Sequence, residues 1–240
     1  SGARWYASAG VFGEAVSPGS DGDEGWGIAG RYVIAPILES DRVLHLGFRA
    51  AQRYTADNDP TTRIRDETTH FSSLRITDTG VLDGVDRVTL IGPEAAWARG
   101  RLSLTGEYND ASIARMTAPD LDFSSWHIAA TWSLGPESRV DAYRIGAGEF
   151  KGLRPATDFS RGNGGGAWEL AARYAALDLN DGAFVGGREE ALTLGANWYI
   201  NRNIRVLFDW TRILDTDLSN PVRTAAEGMD ILRVRGQYTF

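Results

Sequence analysis

The chain has no cysteine, which removes disulfide frameworks and thiolate metal sites as ways of holding it together or giving it chemistry. Lysine is almost as scarce: Lys151 is the only one among 25 basic residues. Nearly every cation is therefore a planar guanidinium with forked donors, an excess that suits an anion path and that codon bias would produce equally well. Long apolar runs are missing too. Arg, Asp, Gly or Glu interrupts each one well short of the roughly 18 residues a membrane helix needs. That excludes crossing a bilayer as a helix and leaves crossing as strands open. No basic, apolar signal segment opens the sequence, so an exported protein is read here in mature or truncated form. Only three histidines occur, His45, His70 and His127, without HExxH spacing or a GxSxG elbow. Neither enzyme chemistry nor a cofactor or metal is expected.

What is present is alternation. The chain ends in Leu232, Val234, Gly236, Tyr238 and Phe240 interleaved with Arg233, Arg235, Gln237 and Thr239, one apolar face and one cationic face. A period of two with greasy and charged sides suits a strand between lipid and a hydrated lumen, and bacterial outer-membrane barrels commonly end in such a strand. Ten segments are long enough to cross a membrane tilted, at about 9 to 11 residues each. They lie near 5–15, 25–35, 42–54, 86–98, 101–112, 124–134, 167–177, 190–200, 204–213 and 230–240. Several split cleanly, as with Leu44, Leu46, Phe48 and Ala50 against His45, Arg49 and Arg53, or Trp168, Leu170 and Tyr174 against Glu169 and Arg173. All eight tryptophans fall within these segments, as aromatic girdles at two interfaces would require.

The connectors alternate in length. Short ones at Pro36–Asp41, Arg99–Gly100 and Asn201–Asn203 separate long polar stretches at 17–24, 55–85, 113–122, 178–188 and 214–228. The reading is short periplasmic turns, long external loops and one domain over residues 1–240. Residues 135–164 break the pattern, being long on the short-turn side, and read as an inserted segment. The fold expected is all-β, a transmembrane antiparallel β-barrel in the bacterial outer membrane. Two alternatives stay open: a plugged structural or adhesion barrel without conductance, and a soluble carbohydrate-binding β-sandwich.

Two other motifs are weaker. Gly25–Gly30 matches the dinucleotide fingerprint by letter but sits in a strand pattern rather than before a helix. Asp21–Glu24 and Asp57–Asp59 are acidic without a complete calcium ligand pattern. If the charged faces line a lumen, Arg49, Arg53, Arg173, Arg205, Arg233 and Arg235 project into it, joined by Arg63 and Arg65 from the long loop. Guanidinium groups so arranged replace part of an anion's hydration shell, and Glu107, Glu169 and Asp209 on the same faces would hold some of them.

Gly166–Leu170 with Arg173–Tyr174, Leu194–Tyr199, Gly106–Tyr108, Gly135–Arg139 with Leu153–Pro155, and the terminal strand together resemble the phosphate-selective porin O and P family of outer-membrane proteins. The resemblance implies a homotrimer of sixteen-stranded barrels whose arginine-lined lumens, narrowed by infolded loops, pass phosphate-like anions without an energy source. The expected partners are membrane lipid and small anions, and no nucleic acid. Thr62–Arg65 looks like the family's infolded loop, with Arg53 at matching spacing. Residues 135–164 look like its periplasmic segment that bends inward, bringing Arg139, Arg144, Lys151 or Arg154 near the path. Asp66 and Glu67 depart from the basic character of the family at that point, which would weaken an anion site there. About ten strands against sixteen implies that N-terminal strands, or another chain, complete the barrel.

Overall fold

A computed structural model describes residues 1–13, 25–56, 59–66, 75–162, 164–216 and 227–239. The acidic stretch 21–24, Asp57, Asn58, Glu67, His70 and Phe240 lie outside these residues. The elements in chain order are β1 (Trp5–Gly13), β2 (Trp26–Leu38), β3 (Arg42–Tyr54), β4 (Thr61–Thr62), β5 (Leu82–Asp83), β6 (Val85–Arg99), β7 (Leu102–Arg115) and β8 (Leu121–Ser133). A 3-10 turn at Val140–Ala142 follows, then β9 (Tyr143–Arg144), β10 (Glu149–Phe150), β11 (Ala167–Asp181), β12 (Phe184–Tyr199), β13 (Ile204–Thr216) and β14 (Asp230–Tyr238). Among the described residues no helix is long and apolar enough to cross a membrane.

The ten long strands form one antiparallel sheet in the order β1-β2-β3-β6-β7-β8-β11-β12-β13-β14, each hydrogen-bonded to its neighbour in that order. All ten alternating segments are strands of this sheet. Among the described residues β1 and β14 are its two open edges; the sheet does not close on itself.

Alternation sets the faces and turn chemistry sets the ends. At the β6–β7 turn Gly100 adopts φ 52°, and at the β11–β12 turn Gly182 adopts φ 55°, conformations an L side chain resists. The second turn corrects an expectation, because 178–188 is not a long loop. Asp181 pairs directly with Phe184, so both strands run almost to the tip. Polar residues there mimic a loop, but Gly182 needs only two residues to reverse the chain. Pro36 has no N–H to give the ladder, and the β2–β3 register shifts between Ile34 and Ile37 around it.

One face of the sheet is covered at both ends by the long connectors, and we call it the inner face. At one end Leu82 of the 55–84 connector packs with Val85, Ala111, Ile113, Leu121, Phe123 and Leu179, and Ile64 rests against them. At the other, Val140 and Tyr143 of the inserted segment pack on Ala35, Val43 and Ala98, while Leu153 packs with Ala167 and Tyr199. The insertion leaves the sheet on the short-turn side, where Arg139 N donates to Gly100 O at 2.7 Å.

Candidate functional site

The opposite, outer face exposes its large apolar side chains. Leu46, Phe48, Leu104, Ile128, Leu170, Leu194 and Phe208 are all exposed, with Trp5, Trp26, Trp126, Trp132 and Trp168. Burying such a surface in a core of this chain is ruled out by that exposure, and a water-facing sheet would not carry it. The aromatics stack in two bands. Toward the long connectors, Trp26 lies on Tyr54 with ring centroids 4.9 Å apart, and Trp126 on Tyr174 at 5.4 Å. Toward the short turns, Trp168 and Trp198 stack at 5.5 Å and 8°, with Phe159 edge-on to Trp198. Six residues separate Trp168 from Tyr174 along one strand, about 20 Å at 3.3 Å per residue. That spacing approaches the apolar band of about 25 Å that membrane barrels present between aromatic girdles.

The inner face carries the charge, in two unlike parts. Beneath the insertion the arginines are occupied. Glu94, 8% exposed, accepts from Arg31 Nε at 3.0 Å and Nη2 at 2.5 Å, from Arg49 Nη1 at 3.1 Å, and lies 2.9 Å from His45 Nε2. A carboxylate only accepts, so His45 Nε2 carries the hydrogen, and in the neutral ring Nδ1 accepts from the Tyr143 hydroxyl at 3.0 Å. Burial pushes the Tyr143 phenol up to about 12. Arg49 reaches on to Glu107 at 2.7 Å and Asn109 at 2.6 Å, while Arg31 donates to the insertion's Ala147 and Gly148 carbonyls at 3.3 and 2.7 Å. A second knot holds the insertion. Buried Arg139 lies 3.2 Å from Glu169 Oε1 and donates to Ser103 Oγ, and Tyr199 and Asn197 donate to Glu169 Oε2 at 2.7 and 3.2 Å.

Along β11–β14 the same face is more open. Arg173 and Arg235 are exposed and make no hydrogen bond or ion pair among the described residues. Arg233 is exposed and paired with Asp209 at 2.6 Å; Arg205 donates to Gln237 at 3.0 and 2.7 Å and lies over Tyr199. Arg173 and Arg233 line one inner-face cavity with His127, Glu107, Glu189 and Asp66, so cations and carboxylates share it.

The remaining expected residues are scattered. Arg53 is half-buried on β3, on the inner-face parity. Arg63 grips Asp78 at 2.9 and 2.5 Å within the long connector, and the hydrogen bonds to Asp78 and its charge raise the guanidinium above its ordinary value; Arg65 is exposed beside it. Arg144 is spent on the Asp141 and Tyr143 carbonyls, Lys151 pairs with Glu149 at 2.5 Å, and Arg154 is exposed. Arg31 and Glu94, the centre of the largest charge cluster, were not singled out from sequence. The signal that would have found them is parity: both fall on the charged side of otherwise apolar strands.

Fold and faces together define the wall of an antiparallel β-barrel of porin type. More particularly, the chain belongs to the phosphate-selective porin O and P family, whose model matches residues 1–240. It is 32% identical over 235 residues to an uncharacterized protein of Caulobacter vibrioides, covering 91% of this chain and 45% of that one. It is 26% identical over 265 residues to Porin O of Pseudomonas aeruginosa, covering 98% of this chain and 58% of that protein. The chain thus spans about half the length of the curated relatives it matches.

Proposed function

We propose that this protein is part of a passive outer-membrane porin that conducts small, phosphate-like anions along the arginine-bearing inner face. The observation that carries the reading is the division of the sheet: stacked aromatics and exposed aliphatics on one side, and on the other the exposed Arg173 and Arg235, in no ion pair among the described residues, beside Arg205 and Arg233. Guanidinium groups not already neutralised offer a passing anion donors and positive potential without an energy source. Family membership supports a channel rather than an enzyme.

In lipid, an open sheet edge leaves backbone N–H and C=O groups unpaired at several kcal/mol each. β1 and β14 are such edges, so further strands complete the wall, from the same polypeptide or another chain. Closure at sixteen strands and a homotrimer are the family-typical assembly we adopt. Asp66 lies on the inner-face cavity and reduces its positive potential, so the preference is for small anions generally, with phosphate-like ones included.

The test is the reversal potential of the full-length protein in planar bilayers under a salt gradient. Anion preference that falls when Arg173 and Arg235 are replaced together by alanine supports the path. Cation preference in the unsubstituted channel refutes it. The insertion's packing over the inner face favours a second reading, a plugged barrel, which gives inserted protein with no conductance.

A further inference from the structure

On the outer face of β6, β7, β8 and β11 the side chains shrink. Ala95 lies opposite Gly106, Ala130 opposite Ala172, and Gly106 diagonal to Ala130 through its partner Ile128. Between Trp97 at one end and Tyr174 at the other, these four residues floor an almost wholly apolar groove of about 550 Å³. That volume falls within the range of small-molecule sites, but its lining is almost all apolar and the Tyr174 hydroxyl at its far end is already bonded to Glu190. The orienting groups sit just past its end. Arg99 follows Trp97 by two residues on the same face, about 7 Å further toward the short turn. It is exposed and has no hydrogen bond or ion pair among the described residues. Arg42, directly opposite Arg99, is already taken by Glu39, at 2.9 and 3.1 Å. Across the turn, Arg101 stands over the Trp132 ring at 5.9 Å, a tryptophan of the same interfacial band. Glu39 and Asp41 are the exposed acids of the neighbouring turn, and since Glu39 is spent on Arg42, the pair Arg99 and Arg101 outweighs Asp41.

An apolar trough that runs from the membrane interior to a rim with two available guanidinium groups matches one molecule in shape and charge: a lipid with acyl chains and an anionic phosphate head. We propose that this groove seats one anionic glycerophospholipid of the leaflet adjoining the short turns, an acyl chain over Gly106 and Ala130 and the phosphate on Arg99 and Arg101. The site rests on the membrane reading given above but takes no part in conduction. Arginine presents forked donors to phosphate, while the tryptophans hold the headgroup level.

The experiment is native mass spectrometry of the full-length protein in detergent, titrated with phosphatidylglycerol or with phosphatidylcholine. One phosphatidylglycerol is expected to be retained per subunit, about thirtyfold more tightly than phosphatidylcholine, as two interfacial cations would give. The double substitution Arg99→Ala with Arg101→Ala should erase that preference, and Gly106→Leu or Ala130→Leu should abolish retention. Equal retention of the two lipids by the unsubstituted protein, or unchanged selectivity in the arginine variant, overturns the proposal. So does a groove-filled variant that keeps its lipid while its oligomer falls apart, which makes a second copy of the chain the occupant. Because leucine in the groove can impair insertion, the exposed arginine pair is the independent arm. Bilayer conductance separates the two readings: anion conduction without retained lipid refutes only the lipid site, and retained lipid without conduction refutes only the channel.

Discussion

The two halves of the inner face are built from the same alternating code yet hold their arginines differently. Beneath the insertion, Arg31 and Arg49 share Glu94, Arg49 also has Glu107, and Arg139 is enclosed with Glu169. Along β11–β14, the exposed Arg173 and Arg235 make no ion pair among the described residues, although carboxylates line the cavity that Arg173 shares, and Arg233 keeps its Asp209 partner at an exposed position. An arginine on the charged side of a strand is thus not by itself a contact for solute. Where a carboxylate and a covering segment meet it, the group holds structure; where neither does, it remains available.

The largest test of that contrast is Glu169→Gln. It leaves Arg139, whose side chain is 8% exposed, with an uncompensated charge under the insertion. The expected loss is about 4 kcal/mol in urea unfolding from detergent, the cost of breaking a buried pair from one side. Glu94→Gln comes next, at about 3 kcal/mol, since Arg31 and Arg49 are more exposed and can recover some hydration. If either variant unfolds like the parent, the covered half is not held by its ion pairs.

Tyr143→Phe removes the hydroxyl bonded to His45 and should cost about 1 kcal/mol at neutral pH. Its pH signature is sharper. Folding raises the phenol from 10 to about 12, so the unfolded chain ionises first. The neutral-phenol stabilisation is complete below pH 10 and is lost as pH rises toward 12. Melting scans over that window should show a shallower decline in the Phe variant. The smallest stability effect belongs to Arg173→Ala with Arg235→Ala, below about 0.5 kcal/mol as for exposed residues without partners. The same double variant should nonetheless lower anion preference in bilayers. An equal loss of anion preference from Glu94→Gln, with its fold intact, would erase the distinction between the halves.

Much of this was legible in the residues because a strand's side-chain period is local. Leu44, Leu46 and Phe48 against His45 and Arg49 fix two faces without reference to any other segment, and β3 runs from Arg42 to Tyr54 as the pattern predicts. Turn chemistry was read less well. The polar stretch after Asp178 looks like a loop by composition, yet the ladder continues through it until Gly182 turns the chain. The charge site was read least well. Arg31 and Arg49 look equivalent as letters, and nothing near Glu94 in the chain announces that both will converge on it.

The sequence by itself determined the ten strands, their two faces and the greasy, aromatic-banded character of one of them, since each follows from neighbours two residues apart. Only the tertiary structure decided which cations are spent. Arg31 meets Glu94 across 63 residues and Gly148 across 117, and Arg139 meets Glu169 because the insertion folds back over the sheet. Ion pairing depends on distance and burial in space, and alternation along the chain carries neither.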